Sequence, residues 1–301
     1  AREIVEMYTK SFLEEYKEMN LLEPKKFTKA TDYIDDQINL IATLEERGCT
    51  YETSDGVYFD TSKFEQYGEL SGLTMENIKE GARIDPNPEK KNPTDFALWK
   101  FSPSDKKRQQ EWQSPWGVGF PGWHLECSSM IMKELGNTID IHVGGEDLKM
   151  IHHQNEIAQS ECATGQKFVN YWVHGAFLTV DGGKMSKSLG NFYTLSDVKQ
   201  RGFSPLDLRY LFMTSHYRGP LNFTWEAMQN AQNSLKRIYE LVSSYVYDPK
   251  AEISDKFMKK FKEKLEEDLN IPEVLAVVWE LIKSSIPEES KLNTILKMDD
   301  F

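Results

Sequence analysis

Residues 137–180 constrain the fold most, because they read in order as strand, glycine turn, helix and strand. "NTIDIHV" (137–143) is typical of a buried strand, and the two glycines that follow it make a turn. A helix from about 150 to 164 then leads to a second strand, "HGAFLTV" (174–180). Two strands joined through a helix predict part of a parallel α/β sheet, in which ligands bind at the carboxyl ends of the strands.

Helical periodicity dominates both ends of the chain. Apolar residues recur from Ile4 to Tyr16 and from Tyr33 to Leu44, and three further stripes follow Arg218. Between these helical parts, "GVYFD" predicts a short strand and "PNPEKKNPTDFALWK" a connection into another. We therefore predict an α/β protein: a partial Rossmann-like nucleotide-binding fold with an inserted connective module, followed by an all-α helical bundle.

Composition excludes several classes of protein. The 301 residues, 39% hydrophobic and 28% charged, suit a soluble chain of about two domains. No segment resembles a membrane span or a signal peptide, so we expect a cytoplasmic protein. Three cysteines, Cys49, Cys127 and Cys162, are too few for a disulfide framework and favour ligation or reactivity over crosslinking. The net charge of -12 argues against general nucleic-acid coating but permits a local basic face.

The stretch "IHHQNEIAQSEC" (151–162) carries a candidate metal site. His152 and Glu156 are four residues apart, so they share one face of the predicted helix. Cys127 lies on a preceding segment that could bring a thiolate to the end of the strand. Sulfur, imidazole and carboxylate together suit zinc better than magnesium or calcium, and the His-Glu-x-x-His word of a metalloprotease is absent. From these residues alone, an ordinary polar helix face remains the alternative.

The word "KMSKS" (184–188) follows a strand and an Asp-Gly-Gly turn. Two lysines and two serines on a glycine-hinged loop can close on a polyphosphate and neutralise the charge of leaving pyrophosphate. An exposed polar loop is the alternative. The segment resembles the KMSKS signature of class I aminoacyl-tRNA synthetases. By that resemblance, Lys184 and Lys187 stabilise the transition state of amino-acid adenylation, and the ATP-binding residues are Lys184, Met185, Ser186, Lys187 and Ser188.

Further words resemble one family within that class. "GWHLECSSM", "DIHVGGEDL", "HHQNEIAQSE", "DGGKMSKSLGN" and "HYRGPLNF" are similar to cysteinyl-tRNA synthetases, and the similarity extends over nearly the whole chain. The resemblance implies one Zn²⁺ per chain, which holds the substrate thiolate and is bound by Cys127, His152 and Glu156. It also implies an amino-acid pocket formed by Trp123, His124, His142 and Asp147.

The family implies a reaction and its partners. Cysteine is activated by ATP, with Mg²⁺, to cysteinyl-adenylate, and the cysteinyl group then passes to tRNA(Cys). In the pocket, Trp123 would pack beneath the substrate and Asp147 would help to hold its ammonium group, while His153 would support the metal ligands or face the adenylate. Because serine is a poor zinc ligand, a site of this kind explains a synthetase with no editing domain. We expect a monomer.

The resemblance also divides the chain and shows where it departs from the family. We expect the end of the first catalytic half at 1–50, a connective insertion at 51–110, the second Rossmann-like half with the KMSKS loop at 111–222 and a truncated tRNA-binding helical bundle at 223–301. The family's His-x-Gly-His signature and one further cysteine ligand are not in the sequence. We therefore expect an upstream catalytic half and a downstream anticodon-binding domain in the parent protein.

Two other functions stay open at this point. A cysteine ligase of the mycothiol pathway, which joins cysteine to an amino sugar, has a similar catalytic core. The absence of the His-x-Gly-His signature also motivates a truncated, non-catalytic paralogue that only binds tRNA, although the intact "KMSKS" word speaks against that reading.

Overall fold

The computed structural model describes residues 2–72, 87–103, 105 and 107–301. The chain folds as two compact units. The first unit is Pro24–Gly175, and the second combines Arg2–Glu23 with Ala176–Phe301. The four-part division expected from the sequence stays a prediction, and residues 73–86, 104 and 106 of the expected connective insertion lie outside the described residues.

Helix α1 (Arg2–Glu18) belongs to the second unit and confirms the first predicted helix. Its apolar stripe is nevertheless exposed, with Ile4, Tyr8 and Phe12 each more than half accessible. At its other end, Glu18 accepts hydrogen bonds from Lys199 at 2.7 Å. The helical spacing of the apolar residues therefore predicted the helix correctly, but it did not predict that these residues are exposed.

The first unit begins with helix α2 (Ile34–Glu46), followed by an antiparallel sheet. The strands are paired in the order in which they occur: β1 (Thr50–Thr53), β2 (Gly56–Phe59), β3 (Phe96–Phe101) and β4 (Gly119–Pro121). Leu40, Ile41 and Leu44 of α2 are buried in one core with residues of the sheet and of the later helices. The predicted second helix and the strands at "GVYFD" and "FALWK" are confirmed.

The parallel part of the first unit positions the candidate site. Its elements are α3 (Trp123–Leu135), β5 (Ile139–Gly145), α4 (Glu146–Met150), α5 (His152–Thr164) and β6 (Val169–Gly175), with β5 and β6 paired in parallel. The predicted second strand at 174–180 was wrong. The strand that pairs with β5 ends at Gly175, because "VNYWVHG" supplies the extended, aromatic-rich run, and residues 178–180 form a separate strand of the second unit.

The second unit contains a small sheet and the remaining helices. β7 (Leu178–Val180) pairs in parallel with β9 (Leu221–Phe223) and antiparallel with β8 (Gly183–Lys184). The helices are α6 (Leu195–Gln200), α7 (Pro205–Met213), α8 (Trp225–Ser243), α9 (Asp255–Glu266), α10 (Ile271–Lys283) and α11 (Glu288–Asp299). The α/β class with a helical C-terminal region is confirmed. Among the described helices, none has the length and apolarity that a membrane crossing requires.

Candidate metal centre and ATP-binding loop

The N-terminal part of helix α5 is buried on all sides although its side chains are polar. His152, His153, Gln154, Asn155 and Glu156 are all less than 5% exposed. Polar side chains are buried at this density only where partners satisfy them, since each unsatisfied group costs about 1–3 kcal/mol. The first turns of α5 are therefore built for interactions with other polar groups.

The three predicted ligands meet at this end of α5. One ligand atom each from Cys127, His152 and Glu156 lies within 4.8 Å of the other two. Cys127 reaches the cluster from α3, and His152 and Glu156 come from successive turns of α5. The structure thus brings together the sulfur, nitrogen and oxygen donors that the sequence indicated.

The contact between His152 and Glu156 is suited to a shared cation. Nε2 of His152 lies 2.8 Å from Oε1 of Glu156, yet Oε1 has no hydrogen bond of acceptable geometry. The two atoms are close together but form no hydrogen bond, so the lone pairs of both are available to a metal ion. A fully buried carboxylate oxygen that accepts no hydrogen bond, beside a thiol and an imidazole, fits a zinc ion, for which three protein ligands leave one position open.

Charges inside the cluster keep Glu156 ready to act as a ligand. Burial raises the pKa of this carboxyl group, but His142 and His152 outweigh burial and lower the pKa to about 2. Oε2 of Glu156 lies 2.9 Å from Nε2 of His142. The side chain is therefore an anion at neutral pH, held by an imidazole on its second oxygen.

Cys127 is in the opposite state without a metal ion. Burial, together with the charges of Glu156 and Glu126, raises the pKa of this thiol to about 12. Because zinc binds the thiolate, a zinc ion bound here would release the proton of Cys127, and its affinity would rise with pH.

His124 and Trp123 support His152 from α3. Nδ1 of His124 lies 2.8 Å from Nδ1 of His152, and burial lowers the pKa of His124 to about 3. When Nδ1–H of His152 donates to Nδ1 of His124, the lone pair on Nε2 of His152 is available to a metal ion. The Trp123 ring lies 4.2 Å from the His152 ring, while half of Trp123 stays exposed. Trp123 is therefore available to a ligand, unlike a core tryptophan.

His142 belongs to a second group of rings that the sequence did not reveal in full. Nδ1 of His153 lies 2.8 Å from Nε2 of His174. The Trp172 ring is 4.8 Å from His142 and 4.7 Å from His153. His142 pairs with Trp172 across β5 and β6, and Gly144 pairs with His174. The parallel register would have identified Trp172 and His174, had the strand at 169–175 been recognised.

Gly144 permits the close approach of this ring cluster to the end of β5. A Cβ atom at Gly144 would lie 2.5 Å from Cε1 and 2.8 Å from Nε2 of His153. No side chain larger than hydrogen fits there unless the imidazole moves. The glycine that the sequence indicates only as a turn residue is therefore a packing requirement of the site.

The remaining predicted pocket residue, Asp147, lies on α4 and is exposed. Its Oδ1 would touch a Cβ at Gly145 at 2.6 Å, so the side chain folds back over the end of β5. This places Asp147 at the carboxyl end of the strand on which His142 lies. Its predicted contact with a substrate ammonium group stays a prediction.

The KMSKS loop is part of the second unit. A two-residue turn, Asp181 and Gly182, joins β7 to β8, and both residues have positive φ, as a type I′ hairpin requires. Asn191 then fixes the loop: its Nδ2 donates to the Lys184 carbonyl at 3.0 Å and its Oδ1 accepts from Ser186 N–H at 2.9 Å. The loop has a defined backbone before any ligand binds.

The side chains of this loop divide into two groups. Met185 packs against the core of the second unit, and the Ser186 hydroxyl lies 2.7 Å from that of Ser188. Lys184 and Lys187 are exposed, and neither has an ion pair with a described residue. Nζ of Lys187 lies 5.3 Å from the centre of the Phe192 ring, and both ammonium groups remain accessible to an anion.

Solved structures define the class of fold. The chain superimposes on the methionyl-tRNA synthetase of Mycobacterium tuberculosis bound to methionyl-adenylate, with a TM-score of 0.58, 14% identity, and coverage of 95% of this chain and 74% of that chain. At this identity the likeness concerns the fold alone. The fold of the chain is therefore similar to the fold of this aminoacyl-tRNA synthetase.

Sequence comparison gives the family. Residues 1–233 match the model of the tRNA synthetases class I (C) catalytic domain, and the chain belongs to that family. It is 47% identical to cysteine--tRNA ligase 1 of Burkholderia lata over 98% of this chain and 63% of that protein. It is 41% identical to the cysteine--tRNA ligase of Thermococcus onnurineus over 98% of this chain and 66% of that protein. The resemblance inferred from the motifs is confirmed, and the chain spans about two thirds of the length of these relatives.

Proposed function

We propose that this chain is the part of a cysteine--tRNA ligase that selects cysteine and helps to activate it with ATP. The observation that carries the proposal is the meeting of Cys127, His152 and Glu156 at a buried carboxylate oxygen that has no hydrogen-bond partner. The names of the relatives support the joining of cysteine to tRNA. In the reaction that we propose, cysteine and ATP give cysteinyl-adenylate and pyrophosphate, and the cysteinyl group is then transferred to tRNA(Cys).

The three ligands would hold one Zn²⁺ and leave an open position for the substrate. A zinc ion bound there would coordinate the thiolate of cysteine, which serine cannot match because an alcohol is a much weaker ligand. A site built to bind one group rejects analogues that lack it by large factors. Selection would therefore reside in the ligand set of the first unit.

The other pocket residues would orient the amino acid and the metal ligands. The exposed half of Trp123, 4.2 Å from the His152 ring, offers an apolar surface beneath the substrate. His124 and His142 would fix His152 and Glu156 through their contacts at 2.8 and 2.9 Å, since hydrogen bonds to metal ligands set the ligand tautomer and direction. The Asp147 carboxylate would bind the ammonium group.

In the second unit, the KMSKS loop would bind ATP, which enters as its magnesium complex. Lys184 and Lys187 would move to the phosphates and neutralise the charge that develops as pyrophosphate leaves. Ser186, Ser188 and the backbone N–H groups of the loop would add hydrogen bonds, while Met185 anchors the loop to the core. We propose that the protein acts as a monomer in the cytoplasm.

Two alternatives are less well supported. Relatives named cysteine--tRNA ligases cover nearly the whole chain, so an amino-sugar ligase is not favoured. The exposed lysines and preformed KMSKS loop argue against a paralogue that has lost catalysis.

The test is cysteine-dependent exchange of pyrophosphate into ATP by the product of the full reading frame. We expect exchange with cysteine and none with serine, and loss of at least about 100-fold in kcat/KM for Cys127→Ala and His152→Ala, which is about 2.7 kcal/mol of transition-state stabilisation. Met150→Ala, a change at an exposed position beside the same helix, is the matched control and should keep full activity. Robust exchange by both ligand variants would refute the proposed selection site.

A further inference from the structure

Two cysteines that the candidate metal centre does not use lie against each other. Sγ of Cys49 donates a hydrogen bond to Sγ of Cys162 at 3.0 Å, although the residues are 113 positions apart. Cys49 lies between α2 and β1, and Cys162 lies in the last turns of α5. Both are thiols in the structure and both contact the core of the first unit.

We propose that Cys49 and Cys162 form a redox modification site, in which a reversible disulfide ties helix α5 to the connection between α2 and β1. A disulfide requires the two sulfur atoms to approach to about 2.05 Å, so a movement of about 1 Å closes the bond. The inference goes beyond the proposed function and does not depend on it.

The backbone holds Cys49 in place for this reaction. Its N–H donates to the Leu44 carbonyl at 2.9 Å, and its carbonyl accepts from Asp60 N–H at 2.9 Å. Cys162 is equally fixed, because it lies within the regular helix α5. Two thiols that are held together by the fold have a high effective concentration for each other, so an internal disulfide competes well against external thiols.

The two sulfur atoms differ in access. Cys49 is 6% exposed, whereas Cys162 is only partly buried and is the thiol that an oxidant can reach. Burial raises the pKa of Cys162 to about 12, partly opposed by the charge of Arg47. Because thiolates are the reactive species, oxidation should be slow at neutral pH and should need an oxidant in excess.

A hydroperoxide is the class of oxidant that fits this order of events. The Cys162 sulfur attacks one peroxide oxygen, the O–O bond breaks, and the leaving oxygen takes up the thiol proton, which gives a sulfenic acid and, from hydrogen peroxide, one water. The Cys49 sulfur then attacks Sγ of Cys162, the S–O bond breaks, and a second water leaves with the Cys49 proton. The two sulfur atoms together lose two electrons, and the peroxide gains them.

The consequence concerns the helix that carries the candidate ligands. Cys162 lies six residues beyond Glu156, about 9 Å along the helix axis. In the reduced form, packing and the hydrogen bond between the two thiols hold this end of α5 to the connection between α2 and β1, whereas the oxidised form has a covalent link there. The disulfide therefore stiffens the C-terminal half of α5 without touching the ligand atoms.

The experiment oxidises the purified, fully reduced chain with millimolar hydrogen peroxide and analyses it by intact mass, thiol counting and peptide mapping. We expect a loss of about 2 Da, a fall from three titratable thiols to one, and a linked peptide pair containing Cys49 and Cys162. Dithiothreitol should reverse the change. The melting temperature should rise by roughly 5–10 °C on oxidation, because the bond closes a long loop in the unfolded chain.

The variants distinguish this site from general thiol oxidation. Cys49→Ala and Cys162→Ala should each abolish the mass loss and the rise in melting temperature, and Cys127→Ala should keep both. If one alanine variant does not fold, the other carries the test. Disulfides that include Cys127, covalent dimers, or oxygen adducts on single thiols without a linked pair would each overturn the proposal.

Discussion

Replacing Gly144 with alanine places a methyl group against the His153 imidazole. The new Cβ would lie 2.5 Å from Cε1 of His153 and 3.0 Å from Cδ1 of Leu148. Carbon atoms in contact are normally about 3.5–4.0 Å apart, so the ring must move by about 1 Å. His153 has little room for this, because it is 1% exposed and its Nδ1 lies 2.8 Å from Nε2 of His174.

The cost of this overpacking follows from core substitutions in general. Extra methyl groups in a well-packed interior cost about 1–3 kcal/mol. For a domain of about 150 residues, each kcal/mol lowers the melting temperature by about 2–4 °C, so Gly144→Ala should melt roughly 2–12 °C lower. The displaced His153 also presses on His142, whose ring lies 4.7 Å away and which holds Oε2 of Glu156. We therefore expect zinc affinity to fall by about tenfold as well.

Thermal unfolding and zinc titration measure the two effects. The matched control is Gly175→Ala, at the corresponding end of β6, where a Cβ would have no atom within 4 Å. The control should stay within about 0.5 kcal/mol of the unchanged protein. Equal melting temperatures for the two variants would refute the reasoning that Gly144 is there to admit His153.

Three further changes test other parts of the site. Glu156→Gln should lower zinc affinity by about 100-fold or more, because it removes the buried anion, whereas Glu126→Gln, which is outside the ligand set, should not; competition with a chelator measures both. In zinc-free protein, His124→Gln should reduce the loss of stability between pH 7 and pH 5. The pKa of His124 is about 3 in the folded protein, whereas an imidazole in the unfolded chain binds a proton below about pH 6.5. The free energy of unfolding therefore falls by about 2 kcal/mol at pH 5. Urea unfolding at both pH values checks this. Asn191→Ala should lower the rate of ATP–pyrophosphate exchange about tenfold with an unchanged melting temperature, since it frees the KMSKS backbone; Asn233→Ala on α8 is the control.

The helix that carries the ligands could be predicted well from the sequence. Its apolar pattern and spacing placed a helix at about 150–164, and the structure has α5 at His152–Thr164, ended by Gly165 in the left-handed conformation. His152 and Glu156 share one face of the helix because an α-helix has 3.6 residues per turn and rises 1.5 Å per residue. Such local geometry needs no knowledge of the rest of the fold.

The strand that follows could not be placed as well. "HGAFLTV" is apolar enough for one strand, but its first two residues end β6 and its last three form β7, and these strands lie in different sheets. Apolar content does not reveal where the chain leaves one sheet for another, whereas the aromatic run at 169–175 did carry a strand signal. Because this strand was missed, Trp172 and His174 were not recognised beside His142 and His153.

Contacts between distant residues were also beyond reach. Cys49 and Cys162 come together only because α2, Cys49 and α5 share one core with the antiparallel sheet. The sequence gives two isolated cysteines with no spacing rule between them. In the same way, the polar side chains of α5 are buried because α3 and the strands cover them, which a helical pattern alone cannot indicate.

X-ray absorption at the zinc edge, recorded on the zinc-loaded protein with and without cysteine, tests the central claim most directly. If Cys127, His152 and Glu156 hold a zinc ion that selects the substrate thiol, the number of sulfur neighbours at about 2.3 Å rises by one when cysteine is added and does not change with serine. A zinc spectrum that contains no sulfur from Cys127, or that is the same with and without cysteine, would contradict the account.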